Sequence, residues 1–190
     1  MWIGNDIVDL KQNQQHHPRF PRRIFSDSDL DAYHRNGSQP FQLWLAWAVK
    51  EAAYKLEKQR DSSIFFSPPE FSVDLQAATV TWRGRVHIFE CDLQDEYLHV
   101  WIHAGAGNAR ARVKKIPGAG PLRDESLKAR DLAAEVVGEM SGIEAAQICI
   151  ESDSQRIPFV YRMAPAKVKL PFALSLSHDG RYVAVAVASR

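Results

Sequence analysis

Gly4-Asn5-Asp6-Ile7-Val8-Asp9-Leu10, read with the later stretch Trp47-Ala48-Val49-Lys50-Glu51-Ala52-Ala53-Tyr54-Lys55, decides how this chain is to be understood. The first stretch sets a carboxylate, Asp6, inside an apolar, strand-like segment. The second sets Glu51 and Lys55 one turn apart on an amphipathic helix. A carboxylate inside an apolar strand needs a partner, because an unpaired buried charge is expensive. Glu51, arriving from a nearby helix, would let the two acids hold a hard divalent cation, with Lys55 placed for a phosphate. The competing reading is a structural ion pair: Asp6 with a lysine, or Glu51 with Lys55 as an ordinary i,i+4 pair.

Working outward, Ile3 to Leu10 reads as a short strand and Lys11 to Arg23 as a basic loop broken by Pro18 and Pro21. Ser26 is placed to cap a helix whose first turn carries Asp27 and Asp29, and Asn36-Gly37 is placed to stop it. Phe41 to Gln59 carries an apolar stripe at helical spacing. After Pro68-Pro69, the segments Glu70–Leu75, Thr79–Trp82, Val86–Cys91 and Tyr97–Ala104 alternate like antiparallel strands. Gly105 to Asn108 marks a boundary. A basic stretch from Arg110 to Lys115 and a linker-like Pro117 to Pro121 follow. Asp124 to Met140 reads as a second long helix. Ile148–Ile150, Phe159–Tyr161, Ala173–Ser177 and Tyr182–Ala188 read as strands. The predicted fold class is α+β, with two pseudo-symmetric halves, residues 1–105 and 106–190, each an antiparallel sheet with a long helix.

Composition narrows the function. A chain of 190 residues with 45% hydrophobic and 25% charged residues can bury one or two cores. A net charge of +1 argues against a general nucleic-acid binder. Cys91 and Cys149 form no metal spacing and fit a reducing compartment. Asp6 and Asp9 fall where the apolar core of a signal peptide would lie, and the longest apolar runs are too short to span a bilayer. The expectation is a soluble, cytoplasmic protein.

Other candidates carry plainer readings beside the functional ones. Lys50 is rotated by about 100° from Glu51, and its plain reading is a solvated face. Ser175-Leu176-Ser177-His178-Asp179-Gly180 runs from a strand into a turn, with Ser175 and Ser177 on one face and His178 able to meet an anion. It is no Ser-His-Asp triad, since neighbours on one short segment cannot converge as a triad must. Arg110 to Lys115, Arg123, Lys128, Arg130 and Arg156 are either an anion site or ordinary surface. The remaining histidines show no ligand spacing.

Taken together, Gly-x-Asp-Ile-Val-Asp, then Trp-x-x-Lys-Glu-Ala-x-x-Lys on a helix, then Ser-Leu-Ser-His-Asp before an apolar strand resembles the 4′-phosphopantetheinyl transferase superfamily. The opening motif is similar to holo-acyl-carrier-protein synthase, and the length and two-halved plan to the surfactin-synthetase-activating type, with the halves in permuted order. The resemblance implies a Mg2+-dependent enzyme that transfers 4′-phosphopantetheine from coenzyme A to a serine of an acyl or peptidyl carrier protein, releasing 3′,5′-ADP. Such carriers serve pathways such as fatty acid or polyketide synthesis. It implies that Asp6 and Glu51 bind the metal, that Glu51 and Lys55 are catalytic, and that Ser177 and His178 contact coenzyme A. Arg123 and Arg156 would meet its phosphates, Arg156 in place of a differently spaced basic residue. Asp9 would or would not join the metal. Arg19, Arg22 and Arg23 would face the carrier's acidic helix. The implied molecule is a monomer with its site between the halves. A non-catalytic coenzyme A-binding relative, and an oligomer with its site between chains, are the alternatives.

Overall fold

Alternation along the first strand positions everything else. The computed structural model describes the chain except residues 14–16, 118–121 and 190 and the side chains of Leu122 and Arg123. In it β1 (Trp2–Asp9) is almost wholly buried. The elements that follow are α1 (Phe20–Ile24), α2 (Asp27–Arg35), α3 (Pro40–Arg60), β2 (Phe71–Asp74), β3 (Thr79–Trp82), β4 (Arg85–Leu93) and β5 (Tyr97–Ala104). Next come β6 (Ala109–Lys115), α4 (Leu122–Ser141), β7 (Ile148–Ser152), β8 (Pro158–Arg162), β9 (Val168–Lys169), β10 (Phe172–Asp179) and β11 (Tyr182–Ser189). The fold is mixed, with four α-helices on antiparallel sheets. One sheet has the order β1-β5-β4-β3-β2, and two three-stranded sheets have the orders β10-β11-β6 and β7-β8-β9. No helix among the described residues is long and apolar enough to cross a membrane.

Each long helix forms where an apolar stripe can be buried. Pro40 opens α3, where its missing N–H costs nothing, and Lys58 and Arg60 suit the C-terminal turn. Ala48, Val49, Ala52, Ala53 and Leu56 then pack on Val80, Phe89, Leu98, Val100 and Ile102 of the five-stranded sheet. On the other side of the molecule, α4 buries Leu132, Ala133, Val136 and Val137. The last strand divides its residues by face. Val183, Val185 and Val187 point to α4, whereas Ala184, Ala186 and Ala188 turn toward β1 and leave room for Ile3 and Ile7. Fully burying each such valine contributes about 1.5–3 kcal/mol.

Three expectations need correction. The segment Lys11 to Arg23 is not all loop, because α1 begins at Phe20 with Pro21 in its first turn. The basic stretch from Arg110 to Lys115 is strand β6, paired with β11. Its cations are paired: Arg112 clasps Glu139 of α4 with two bonds of 2.7 Å, Lys114 meets Glu135 of α4 at 3.0 Å, and Lys115 meets Glu96 at 2.7 Å. That stretch therefore does not form the anion site weighed for it. Lys50 is fully buried rather than solvated. Its Nζ donates to Ile24 O at 2.7 Å, lies 3.9 Å from Asp29 and sits 5.3 Å from the Phe25 ring centre. Burial pushes its pKa down to about 8. Lys50 thus pins the α1–α2 segment to α3. Of the linker-like Pro117 to Pro121, residues 118–121 lie outside the described residues.

Gly4 sets the distance between β1 and α3. A Cβ there would stand 1.8 Å from Ala52 O and 2.8 Å from Leu56 N, both main-chain atoms that cannot step aside. Gly4→Ala is therefore expected to destabilise the fold by about 3 kcal/mol or more, beyond the usual cost of one added methyl. Urea unfolding followed by circular dichroism checks this; a loss below about 1 kcal/mol would contradict the close packing.

Candidate active site

The even-numbered residues of β1 face α3, and this brings Asp6 onto the helix face that carries Glu51 and Lys55. Lys55 Nζ donates to Asp6 Oδ1 at 2.9 Å and to the main-chain oxygen of Asn5 at 3.0 Å. Glu51 lies close enough to feel both neighbours, and its carboxylate takes no hydrogen bond among the described residues. Burial pushes the Glu51 pKa up to about 7; Lys55 pulls against that shift and Asp6 adds to it. Burial likewise raises Asp6, against Lys55, the Ile7 N–H and His178. Lys55 is itself desolvated, but the two acids hold it above its usual value. Lys55 thus bonds Asp6 directly and attracts Glu51, while burial disfavours the ionised form of both acids. The ion-pair reading of Asp6 is thus met in the structure for Asp6 and Lys55, and it leaves Glu51 unaccounted for.

β1 ends its sheet, yet its free edge is closed by side chains. Gln59 of α3 accepts from Ile3 N and donates to Ile3 O and to Leu174 O of β10. Ser175 Oγ accepts from Asn5 N, the Asp6 carboxylate from Ile7 N, and Asp179 Oδ2 from Asp9 N. β10 thus runs beside β1 in the same direction, joined to it by side chains. Buried Asn5 adds a second bridge, donating through Nδ2 to Ser177 Oγ at 2.9 Å and to His99 Nε2 at 3.0 Å. His99 can accept because burial holds its pKa down, to about 3.

Asp9 does not join the cluster. Its buried carboxylate is clasped by Arg181 through two 2.8 Å bonds and also receives Lys11 N and Gln12 N. Despite desolvation, these donors hold its pKa down to about 2. Arg181 in turn reaches Glu96, which also takes Tyr182 Oη at 2.8 Å and Lys115 at 2.7 Å. Asp9 is a lock between β1 and the β10–β11 turn.

His178 sits on the opposite face of β10 from Ser175 and Ser177, as alternation requires. Its Nδ1 lies 3.0 Å from Oε2 of Glu125, a nearly buried acid of α4 that orients the ring. His178 borders two cavities. One is a cleft of about 630 Å3 between α3 and α4. Its lining includes Lys55, Lys58, Arg130 and Arg156 and, among the described residues, no carboxylate. The other is a cavity of about 230 Å3 lined by Asp6, Asp179 and an aromatic wall. Lys55, Arg156 and His178 line the cleft and Asp6 and His178 the smaller cavity, whereas Glu51, beside Asp6 and Lys55, lines neither of the two. Ser177 does not line the cleft; its hydroxyl is taken by Asn5, and the cleft reaches β10 through Ser175, Leu176 and His178. The Arg123 side chain lies outside the described residues. Sequence reasoning missed Lys58, one turn beyond Lys55, and Glu125. It had Arg130 only as one of many scattered cations.

The family model of the 4′-phosphopantetheinyl transferase superfamily matches residues 3–111. This chain belongs to that superfamily. The matched segment runs from β1 into β6, so it holds Asp6, Glu51 and Lys55 but neither Arg156 nor His178. The superfamily takes coenzyme A as substrate and acts on carrier proteins. No curated protein and no solved structure matches the chain.

Ionising Glu51 works against burial. The folded state holds the Glu51 proton up to about pH 7, whereas an unfolded chain releases it near 4.5. The strain therefore grows as pH rises from 4.5 to 7 and is complete above it. Glu51→Gln is expected to stabilise the protein at pH 8, without added metal, by about 2 kcal/mol, and to change little at pH 4. Thermal unfolding at the two pH values measures this; equal effects at both would contradict it.

Proposed function

We propose that this superfamily member transfers 4′-phosphopantetheine from coenzyme A to a serine hydroxyl of a carrier protein. The observation that carries this reading is the cationic cleft opening beside the Asp6–Glu51–Lys55 cluster on the family-matched strand and helix. A cleft lined, among the described residues, by four Lys and Arg side chains and no carboxylate suits the phosphates of the 3′,5′-ADP half of coenzyme A. In this reading Arg156, Arg130 and Lys58 hold those phosphates, and His178 borders the pyrophosphate. The serine Oγ attacks the β-phosphorus, the bond from that phosphorus to the ADP oxygen breaks, and 3′,5′-ADP leaves. Lys55 offsets charge on the transferring group. Glu51, with its pKa near 7, accepts the serine proton. Positioning and electrostatics supply most of such a reaction.

Magnesium fits the acids. No group of three or more His, Cys, Asp or Glu side chains is arranged for a metal among the described residues. Magnesium, however, commonly takes one or two carboxylates together with substrate phosphates, and burial makes the ionised forms of Asp6 and Glu51 costly, a cost that a bound cation would offset. Asp6 and Glu51 would hold the ion, which supplies charge neutralisation at the pyrophosphate. We also read the two units, β1 with α3 and β2–β5, and β6 with α4 and β7–β11, as related halves of a monomer with the site between them. In this reading the boundary falls near residues 105–106.

The carrier would approach over α1. Phe20 of that helix borders the aromatic cavity, while Arg19, Arg22 and Arg23 are exposed beside it. Complementary charge there would steer an acidic carrier helix.

Mass spectrometry of apo-carrier proteins incubated with the protein, coenzyme A and magnesium tests the activity. The expected result is a gain of one phosphopantetheine, abolished by Asp6→Asn and by Glu51→Gln. Binding of coenzyme A with no transfer to any carrier would instead favour a non-catalytic relative. Separately, changing Arg19, Arg22 and Arg23 to Glu should raise KM for the carrier at least tenfold more than KM for coenzyme A. That difference should shrink as salt screens the charges. Equal changes in both constants would refute the docking surface.

A further inference from the structure

Alternation on β10 sets Leu174, Leu176 and His178 on one face, and the two leucines pack into the core built on α4. His178 is the next residue in that row, where the core gives way to the cleft. The stripe of α4 that meets the row runs Glu125, Ala129, Leu132, Ala133 and Val136, all buried at helical spacing. Glu125 thus holds a place in the stripe that a leucine would fill without desolvating a charge. The other acids of α4 are disposed differently. Asp124 and Asp131 are exposed, and Glu135 and Glu139 pair with Lys114 and Arg112 of β6. Among the described residues of α4, Glu125 is the buried acid, and it meets a histidine, with His178 Nδ1 at 3.0 Å from its Oε2. Its place in the first turn of α4 suits a carboxylate, which the positive end of the helix dipole favours.

Glu125 lines neither cavity, whereas His178 borders both. The carboxylate therefore stands behind the ring and reaches the site only through it. A neutral imidazole carries its proton on one of two nitrogens, and the hydrogen bond made by one nitrogen decides the state of the other. An ionised carboxylate can only accept. Facing Glu125, Nδ1 carries the proton, and Nε2 is the nitrogen left for a ligand. When the ring is protonated, Nε2–H donates to a phosphate oxygen and Glu125 balances the added charge.

We propose that Glu125 is a positioning residue for the transfer: it holds the Nδ1 proton of His178, fixes the ring, and so presents Nε2 at a set angle to the phosphates in the cleft. This rests on the reading of the cleft as the coenzyme A site. Glu125 belongs to α4, outside the family-matched segment of residues 3–111. The second long helix thus serves the chemistry as well as the core, since Ser126, Ala129 and Arg130 of its next turn wall the same cleft.

Two measurements on the full chain test this. Nitrogen-15 magnetic resonance reads the tautomer of His178 in the wild type, with its signals assigned by their loss in His178→Gln. At a pH where the ring is neutral the proton should sit on Nδ1; a proton on Nε2 would overturn the proposal. Calorimetry then compares coenzyme A binding in two variants. Glu125→Leu completes the apolar stripe, so thermal unfolding should find it at least as stable as the wild type. Its affinity for coenzyme A should nevertheless fall about tenfold or more, as at metal sites where a ligating histidine loses its outer partner. Glu125→Gln still offers Nδ1–H an oxygen and should keep near-wild-type affinity. A structural ion pair would give the reverse, with stability lost and affinity kept in Glu125→Leu, and that result would overturn the proposal. Equal losses of affinity in the Leu and Gln variants would also overturn it, because charge rather than position would then be what the ring needs. The tautomer measurement uses no change at Glu125 and decides the matter if Glu125→Leu does not fold. Failure of the wild-type chain to bind coenzyme A would overturn the transferase reading and this role with it, whereas wild-type binding that Glu125→Leu leaves unchanged would overturn this role and spare that reading.

Discussion

The approach of β1 to α3 at Gly4 is the contact on which the site depends. Main chain meets main chain there with no room for a methyl group. That closeness sets Asp6 beside Glu51 and Lys55, one turn of helix away, and lets Lys55 reach both the Asp6 carboxylate and the Asn5 carbonyl. A wider spacing would leave the two acids in separate, solvated surroundings. Their raised pKa values are thus a direct result of packing, since burial is the largest cause for each. The site is costly to keep ionised, and that cost is common where function rather than stability selects the residues.

A second constraint is how the two sheets meet. Among the described residues no main-chain ladder joins β1 to β10. Alanines on β11 make space for Ile3 and Ile7, Asn5 bridges to Ser177 and His99, and Gln59 and Arg181 tie the ends. Specific polar pairs inside an otherwise small-residue interface fix the relative setting of the strands. That setting brings His178 and Arg156 opposite Lys55 across the cleft.

Much of this was legible in the chain because its signals are local. The helical period of α3, the Ser26 cap, the Asn36-Gly37 stop and the alternation of β5 and β11 each lie within a few residues, and the structure has these elements there. Asp6, Glu51 and Lys55 could be grouped because an acid inside an apolar strand has few explanations. Long-range partners carried no such signal. The burial of Lys50 depends on where α1 and α2 fold back, and the spending of Arg112 and Lys114 on α4 depends on β6 pairing with β11. Ser177 and Ser175 look equivalent by alternation, yet only a neighbouring strand decides that the Ser177 hydroxyl serves Asn5 rather than the cleft. Whether Asp9 joins the metal stays open in the sequence, because Arg181, which holds its carboxylate, is distant in the chain.

The side-chain closure of β1 also bears on how the protein behaves in a concentrated solution. An open strand edge offers main-chain donors and acceptors to any passing extended segment and so invites lateral addition and aggregation. In the five-stranded sheet one outer strand, β2, is only four residues long, and the other, β1, presents Gln59, Lys55, Ser175 and Asp179 in place of bare backbone. The groups that hold the site together therefore also keep the sheet from growing into its neighbours.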